Sequence, residues 1–238
     1  MTHIETPSDK RLVWYLSMEE YIANHIQEYP DGAFFTWVVG PTVIFGRHQA
    51  LHQEVNTDFC KANNIPYYRR KSGGGCVYAD EGNLMLSYIS PSTHSETVFN
   101  SFISSVANLL SELGIEAVRT ENNDILVNHM KVSGNACFAA KESTIVHGTM
   151  LYDVNFAQLQ QAITPSKDKL EKHGVKSVRQ RVANLNTLTD KIASISELAH
   201  YLTSRLCSNS TSLNPEALNI IDTIEQTYLN PEFIERQL

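Results

Sequence analysis

A run of three glycines behind three cations constrains this chain more than any other feature. The run is Arg69-Arg70-Lys71-Ser72-Gly73-Gly74-Gly75-Cys76-Val77-Tyr78. Glycine allows sharp backbone turns and lets a ligand approach main-chain N–H groups closely, and arginine can bind phosphate or carboxylate through two hydrogen bonds. We therefore interpret the run as an anion-binding loop between two strands. Its spacing differs from the dinucleotide fingerprint and from the Walker pattern.

Length and composition limit the class of protein. The 238 residues suffice for one large domain, or for one domain with a small appendage. The net charge of −7 argues against a general nucleic-acid binder. No apolar run approaches the ~20 residues of a membrane span, and the N-terminus does not resemble a signal peptide. Because the four cysteines are scattered, we expect a reduced, cytoplasmic protein with no nucleic-acid or membrane partner.

Hydrophobic periodicity predicts strands that are interleaved irregularly with a few helices. A capping box at Ser17 and Glu20 predicts a first helix over about 18–28. A long helix is predicted over 99–113, ending at Gly114, and a hairpin is predicted over Asn128 and His129. Further strands are predicted at 34–39, 42–45, 66–69, 76–78, 83–89 and 144–152, with helices at 56–63, 156–163 and from 194 onward, broken at 208–215. This pattern favours an α+β fold, with a mainly antiparallel or mixed sheet flanked by helices.

Several separated segments together resemble one family. In chain order they are Ile44 to Gln49, Glu54 to Asn56, the glycine run, Asp80 to Asn83, Asn123 to Val127, Lys131 to Ala136, His147 to Thr149, Lys169 to Gly174 and Ser177 to Leu185. The ordered set spans about residues 40–185 and is similar to the lipoate–protein ligase A family. One such motif is weak evidence, whereas the collection in this order is specific.

The resemblance implies an adenylating ligase whose catalytic fold is that of biotin protein ligases and class II aminoacyl-tRNA synthetases. Lipoate, or octanoate, and ATP would give an acyl-AMP and pyrophosphate. The acyl group would then pass to a lysine of a lipoyl domain in 2-oxo acid dehydrogenases, or of the glycine-cleavage H protein. We expect a catalytic core over 1–187, a helical extension over 188–238 packed on it, and no separate C-terminal accessory domain. An accessory subunit would then be a further partner.

The resemblance also implies the site residues. Lys131 matches the family lysine that contacts both the acyl carbonyl and the phosphate, where an ammonium stabilises developing charge. Asp124 is the expected Mg²⁺ ligand, because Mg²⁺ usually takes one or two carboxylates plus phosphates. The implied nucleotide-binding residues are Arg70, Gly75, Cys76, Val77, Tyr78, Asn123, Asp124 and Lys131. The implied lipoate-binding residues are Ser72, Gly73, Gly74, Asn83, Lys131, His147 and Gly148. Candidates for the apolar slot are Tyr78, Leu84 and Leu86.

Two other functions stay open on the sequence alone. A transferase of the same fold would use no ATP and would form a thioester on a cysteine assisted by a lysine; Cys137 is the candidate. A non-catalytic lipoate-binding protein would keep the pocket without the chemistry. The basic run 166–181 is either a solvated face or a contact for phosphate or for an acidic lipoyl domain. The family commonly has His where Ala79 stands, so any hydrogen bond from that His is absent.

Overall fold

A large mixed sheet forms the centre of the molecule. The computed structural model describes residues 1–121, 123–163 and 182–236. The strands of the large sheet are β1 (Thr2–Glu5), β2 (Ala33–Trp37), β6 (Asn83–Ser90), β7 (Ala117–Arg119), β8 (Asp124–Val127), β9 (Met130–Ala139), β10 (Thr144–Leu151) and β11 (Asn209–Ser212). These eight strands lie in the order β11-β1-β2-β6-β10-β9-β8-β7. β1 runs parallel to β2 and β11, and the other neighbours are antiparallel.

A small sheet carries the glycine run. Its strands are β3 (Thr42–Phe45), β4 (Tyr67–Arg69) and β5 (Val77–Ala79), in the order β4-β3-β5. The run connects β4 to β5, as predicted, but the two strands pair with β3 between them rather than with each other. The loop therefore crosses the end of β3. The short helices α2 (Leu51–Glu54), α3 (Thr57–Ala62) and α5 (Phe156–Ala162) share an apolar cluster with this sheet.

Helices cover both faces of the large sheet. The longer helices are α1 (Leu12–Asn24), α4 (Ser95–Glu112), α6 (Ile195–Leu206) and α7 (Pro215–Leu229), followed by the short α8 (Pro231–Ile234). Side chains alternate across a strand, so Phe35 and Trp37 pack in the cluster of α1 and α7, whereas Phe34 packs in the cluster of α4 and α6. The predicted mixed α+β architecture flanked by helices is confirmed. No helix in the described ranges is long and apolar enough to span a bilayer.

The hairpin between β8 and β9 is confirmed in detail. Asn128 and His129 form its two-residue turn, with φ angles of 50° and 62°, and Val127 pairs with Met130. Positive φ at both central positions is the geometry that the right-handed twist of a hairpin favours. The long helix also ends as predicted, because Gly114 has a φ of 77° just beyond α4.

The prediction for the first helix was wrong at its start. The helix begins at Leu12, and Ser17 lies inside it, where its hydroxyl donates to the carbonyl of Val13 at 2.8 Å. α1 is buried on nearly all sides, between the sheet and α7, so its apolar residues show little of the one-sided periodicity that marks a surface helix. The predicted break at 208–215 is confirmed, because α6 ends at Leu206 and α7 begins at Pro215, and the break contains strand β11. The predictions for 164–181, including Lys169 to Gly174 and the basic run, lie outside the described residues.

Candidate active site

A cavity of about 310 Å³ is lined by α1, by strands of both sheets and by the glycine run. Its volume lies within the usual range of small-molecule sites. One part of its wall is apolar and consists of Leu12, Leu16, Trp37, Ile44, Val77 and Met85. The other lining residues are Arg70, Gly74, Gly75, Cys76, Asn123, Asp124, Lys131, Gly134, Asn135, Ala136, His147, Gly148 and Thr149. The cavity therefore combines an apolar wall with a polar end.

The β8–β9 hairpin supplies an ion pair at the polar end. Asp124 begins β8 and Lys131 follows the tight turn, so the two side chains meet with Nζ 2.8 Å from Oδ1. Both remain partly open, with side-chain exposures of 35% for Lys131 and 27% for Asp124. A Cβ atom on Gly134 would lie 2.7 Å from the lysine Nζ. The absence of a side chain at Gly134 thus gives the ammonium its place.

The backbone next to this ion pair is held in a left-handed conformation. Asn123 has a φ of 71°, which is uncommon for a residue with a side chain. The main-chain N–H and the side-chain amide of Asn135 donate to the Asn123 carbonyl at 3.1 and 3.0 Å. Gly148 makes room for this bracket, because a Cβ there would lie 2.0 Å from the Asn135 Oδ1. Gly148 and Asn135 together fix the entry to β8.

Arg70 shapes the glycine run from inside. It is only 5% exposed, and its guanidinium donates to the Ser72 hydroxyl at 3.0 Å and to the carbonyls of Gly73 at 2.6 Å and Gly75 at 2.8 Å. Burial lowers the pKa of Arg70 to about 10, so it stays cationic at neutral pH. Gly74 takes a φ of 91° in this loop, a conformation that favours glycine. Arg70 lines the cavity, but its hydrogen bonds here go to the loop.

A chain of buried hydrogen bonds leads away from Arg70 behind the cavity wall. The Ser72 Oγ lies 2.8 Å from Nε2 of His147, and Nδ1 of His147 lies 3.0 Å from a carboxylate oxygen of Glu19. The other oxygen of Glu19 accepts from Ser87 at 2.5 Å, and Ser87 accepts from the indole N–H of Trp37 at 2.9 Å. Three strands, α1 and the glycine run are joined by this chain.

Glu19 sets the direction of the whole chain, because an ionised carboxylate only accepts hydrogen bonds. Ser87 must donate to it on one side, and Nδ1 of His147 must donate on the other. With neutral His147, Nε2 then accepts from Ser72, which in turn accepts from Arg70; this tautomer follows from the network. Both ring nitrogens of His147 are therefore satisfied within the protein.

The arrangement of Glu19, His147 and Ser72 has the order of a hydrolase triad. Ser72, however, is only 3% exposed and does not line the cavity. A nucleophile must reach its substrate, so the geometry favours a positioning role for the three side chains over covalent catalysis.

Most of the site residues predicted from the sequence surround the cavity. Those that line it are Arg70, Gly74, Gly75, Cys76, Val77, Asn123, Asp124, Lys131, His147 and Gly148. Ser72 and Gly73 are connected to it through Arg70. Tyr78 and Asn83 are not in the lining. Tyr78 is buried and donates to Gln158 at 2.5 Å, and Asn83 donates to the Tyr78 carbonyl at 3.3 Å, so both support the small sheet from behind.

The three candidates for the apolar slot, Tyr78, Leu84 and Leu86, do not line the cavity. Leu84 and Leu86 pack in the cluster of α4, and Tyr78 packs with α5, whereas Met85 lines the cavity. Other residues were not predicted as part of the site: the lining residues Leu12, Leu16, Trp37, Ile44, Gly134, Asn135, Ala136 and Thr149, and Glu19 and Ser87 behind the lining. Trp37 and Met85 are paired neighbours on one face of the sheet, but both strands are buried on both faces, so the sequence shows no alternation that would have identified them.

Cys137 lies away from the ion pair. It packs against the α4 cluster and lines a separate depression with Phe99 and Arg119. Burial raises the pKa of its thiol, which lowers the fraction of reactive thiolate at neutral pH. Neither observation favours a thioester on Cys137.

Residues 13–207 match the profile of the lipoyl protein ligase A/B catalytic domain. The chain belongs to this family. The resemblance found in the sequence is thereby confirmed. The lipoate-protein ligase LplJ of Bacillus subtilis is 37% identical over 207 residues, which are 84% of this chain and 61% of the relative. The chain thus spans about three fifths of that relative.

Solved structures agree on the fold. A bipartite lipoate protein ligase from Thermoplasma acidophilum, solved in work that includes its E2 lipoyl domain, has a TM-score of 0.86 and 24% identity over 100% of this chain and 96% of its own. A lipoate-protein ligase A bound with ATP has a TM-score of 0.82 and 23% identity over 98% of this chain and 97% of its own. The catalytic-domain architecture is therefore that of lipoate–protein ligases.

Proposed function

We propose that this chain carries the catalytic part of a lipoate–protein ligase. It activates lipoate with ATP to lipoyl-AMP and pyrophosphate, and then transfers the lipoyl group to a lysine of a lipoyl domain. The observation that carries the proposal is the cavity itself, which joins an apolar wall to the Lys131–Asp124 ion pair and the glycine run. The name of the B. subtilis relative and the ATP bound to a structural neighbour point the same way.

The apolar wall is suited to the acyl chain of lipoate. Leu12 and Leu16 are one helical turn apart on α1, and Trp37 and Met85 face them from neighbouring strands. Such a surface removes the chain and its dithiolane ring from water, which is the main driving force for binding an apolar ligand. The ligand's carboxylate would then lie toward the polar end.

Lys131 is the proposed catalytic residue. In the first step the carboxylate oxygen of lipoate attacks the α-phosphorus of ATP, and the bond to pyrophosphate breaks. Two anions must approach each other, so a nearby ammonium lowers the barrier by offsetting their repulsion. In the second step the neutral acceptor amine attacks the lipoyl carbonyl, the bond from the carbonyl carbon to the AMP oxygen breaks, and the amide forms as AMP leaves and the amine proton passes to water. The same ammonium would stabilise the oxyanion and the departing phosphate.

The glycine run is the proposed phosphate-binding loop. Its residues Gly74, Gly75, Cys76 and Val77 line the cavity, where their backbone can approach a nucleotide closely. Arg70 holds the carbonyls of Gly73 and Gly75 inward, which preserves the loop shape before any ligand arrives. Main-chain N–H donors in a loop whose shape is already fixed need no rearrangement during the reaction.

Asp124 is the proposed Mg²⁺ contact. In the described ranges no group of three or more His, Cys, Asp or Glu side chains is arranged to hold a metal ion. A single carboxylate at the cavity fits Mg²⁺, which takes most remaining ligands from phosphates and water. When bound, the ion would neutralise phosphate charge. Asn123 is the neighbouring candidate for a nucleotide contact.

Mass spectrometry of a lipoyl-domain acceptor tests the proposal. The acceptor is incubated with this protein and lipoate, with and without ATP and Mg²⁺, and in parallel with octanoyl-acyl carrier protein as donor. We expect modification from lipoate only when ATP is present. Modification only from the carrier protein without ATP would establish a transferase. Modification under neither condition, with neither ATP–pyrophosphate exchange nor transfer from synthetic lipoyl-AMP, would indicate a binding protein.

Because this chain spans only 61% of its B. subtilis relative, the two half-reactions are measured separately. The T. acidophilum ligase is described as bipartite, so activation by this chain can depend on a separate subunit. Lipoate-dependent ATP–pyrophosphate exchange measures the first step, and transfer from synthetic lipoyl-AMP measures the second. Transfer without exchange would indicate the need for such a subunit. Cys137→Ala is expected to keep both steps, whereas loss of transfer together with an isolable acyl-thioester would support the transferase.

A further inference from the structure

Arg69 is a buried cation whose recorded polar contacts are all with main-chain carbonyls. It is 1% exposed, although it directly precedes the cavity residue Arg70. Its guanidinium lies over the ring of Phe45, 4.6 Å from the centroid. A guanidinium offers five N–H donors in a fixed plane, so one side chain can bind several carbonyls at once. No ion pair of Arg69 is found within the described part of the chain.

These carbonyls belong to two segments that are far apart in sequence. The first is the turn after β3, residues 46–49, here called the β3 turn. Nη1 donates to the carbonyls of Arg47 at 3.0 Å and Gln49 at 2.7 Å. The second is the C-terminal segment, residues 230–236. There Nε donates to Phe233 at 3.0 Å, and Nη2 donates to Ile234 at 3.1 Å and Arg236 at 3.0 Å.

The β3 turn is in direct contact with the glycine run. The N–H of Arg47 donates to the carbonyl of Ser72 at 2.9 Å. Gly46 approaches the loop so closely that a Cβ on it would lie 2.2 Å from the carbonyl oxygen of Gly74. Backbone pressed against backbone cannot yield as a flexible side chain can. A shift of the β3 turn must therefore shift the glycine run.

The C-terminal segment is anchored on its other side. α7 packs along α1, where Trp14 donates to Asp222 at 2.7 Å and Arg11 lies 3.2 Å from Glu225. Asn230 then caps α8 by accepting from the N–H of Glu232 at 2.9 Å. These contacts hold the C-terminal segment in the position where it meets Arg69.

We propose that Arg69 is a positioning residue that uses the C-terminal segment to hold the β3 turn, and through it the glycine run, in place. Because its donors are shared between the two segments, either segment loses part of its support when the other moves. The loop that we assign to phosphate binding is thereby coupled to residues 230–236. The coupling itself does not depend on the proposed function; only its effect on ATP binding does.

Hydrogen exchange on the full chain tests the coupling without any substrate. Arg69→Lys keeps the charge, but its single ammonium cannot bind both sets of carbonyls. We expect amide exchange to become at least tenfold faster in peptides covering 44–50, 71–76 and 230–236, with β6 and β10 unchanged. Arg236→Ala is the matched control, because it keeps the carbonyl that Arg69 uses, and it should leave exchange in 44–50 and 71–76 as in the parent protein.

Asn230→Ala tests the same contact from the C-terminal segment, because it removes the cap of α8 and leaves Arg69 intact. Loss of the cap should loosen 230–236, and exchange in 44–50 should rise with it. Faster exchange confined to 230–236 in either variant would overturn the proposal. Its functional part is tested by kinetics: Arg69→Lys should raise the apparent KM for ATP at least fivefold, with kcat within twofold. An unchanged KM in a variant with loosened loops would refute that part.

Discussion

The two polar regions around the cavity hold their charged groups in different ways. At the ion-pair end, Lys131 is 35% exposed and contacts Asp124. The second region, here called the histidine end, consists of Glu19, Ser72, Ser87 and His147. There Glu19 is 3% exposed, and both its oxygens and both nitrogens of His147 have partners inside the protein. The charged groups of the first region can still form hydrogen bonds with a ligand, whereas those of the second region already form theirs with other protein groups. We infer that chemistry belongs to the first region and positioning to the second.

Arg70 shows that charge alone does not decide this assignment. It is a cation beside the glycine run, which made it a natural phosphate ligand on the sequence. In the structure it belongs with the histidine end, because it donates to Ser72 and to two carbonyls of its own loop. A ligand phosphate would have to compete with those bonds or be met by other donors of the loop.

The largest expected effect comes from removing the exposed ammonium. Lys131→Ala should lower lipoate-dependent ATP–pyrophosphate exchange by about 10² to 10³-fold, the usual cost of losing one transition-state donor. The fold should persist, because the side chain is partly in solvent. Lys141→Ala removes an exposed lysine between β9 and β10 and serves as the control. Exchange near the parent rate in Lys131→Ala would refute the catalytic assignment.

Moving the ammonium should cost less than removing it. In Gly134→Ala the new Cβ would meet Nζ and Cε of Lys131 at 2.7 and 2.8 Å, and this flexible end can shift without disturbing the backbone. We expect kcat for exchange to fall about tenfold, with a stability change below about 1 kcal/mol.

A double-mutant cycle locates that effect. If Gly134→Ala acts through the lysine, then Lys131→Ala combined with Gly134→Ala should be no slower than Lys131→Ala alone. Additive losses would show instead that Gly134 contributes to the cavity independently of the ammonium.

At the histidine end we expect stability and substrate affinity to change more than the chemical step. Glu19→Gln replaces two acceptors with one acceptor and one donor, so Ser87 and His147 can no longer both donate to residue 19. The cost should be about 1 to 3 kcal/mol of unfolding free energy in urea titrations, with a raised KM for lipoate. Glu28→Gln, at an exposed site, is the control. A fall in kcat as large as that of Lys131→Ala, at unchanged stability, would contradict the comparison.

The difference between the two regions also explains what the sequence revealed. The ion-pair end lies on one tight hairpin, whose turn residues and flanking strands are local signals. Asp124 and Lys131 meet because Asn128 and His129 place them together. The family resemblance then identified the same residues, and the three site residues that it implies on this hairpin, Asn123, Asp124 and Lys131, all line the cavity.

The histidine end is assembled from distant segments. Glu19 lies on α1, Ser87 on β6, His147 on β10 and Ser72 in the glycine run. The sequence does not single out Glu19, because a helix predicted over about 18–28 leaves the face that it buries unassigned. The face of β6 was equally undetermined, since Leu84, Met85 and Leu86 are all buried and a strand covered on both sides shows no alternation. Pairwise contacts between such segments are set by the tertiary fold.

The smallest expected effect comes from Asp80→Asn. This variant tests whether a buried hydrogen-bond network changes the KM for lipoate only because it stabilises the protein. Asp80 is a buried carboxylate outside the cavity lining that accepts from the N–H groups of Gly82 at 3.0 Å and Asn155 at 2.8 Å. Asp80→Asn loses one acceptor and should cost about 1 kcal/mol, while the KM for lipoate stays unchanged. A rise in KM like that of Glu19→Gln would show that general loosening, rather than His147, governs lipoate affinity.

The pH dependence of the stability lost in Asp80→Asn shows whether burial or hydrogen bonding dominates at Asp80. Burial raises the pKa of Asp80 above its ordinary value of 3.8, although its two main-chain hydrogen bonds oppose the shift. The folded protein therefore keeps a proton that the unfolded chain has already released, so ionisation of Asp80 makes stability fall as pH rises through this window. Asn cannot titrate, so the deficit of Asp80→Asn should be largest near pH 4 and narrow toward neutrality in urea titrations. A deficit that widens with pH would mean that the two hydrogen bonds, and not burial, dominate at Asp80.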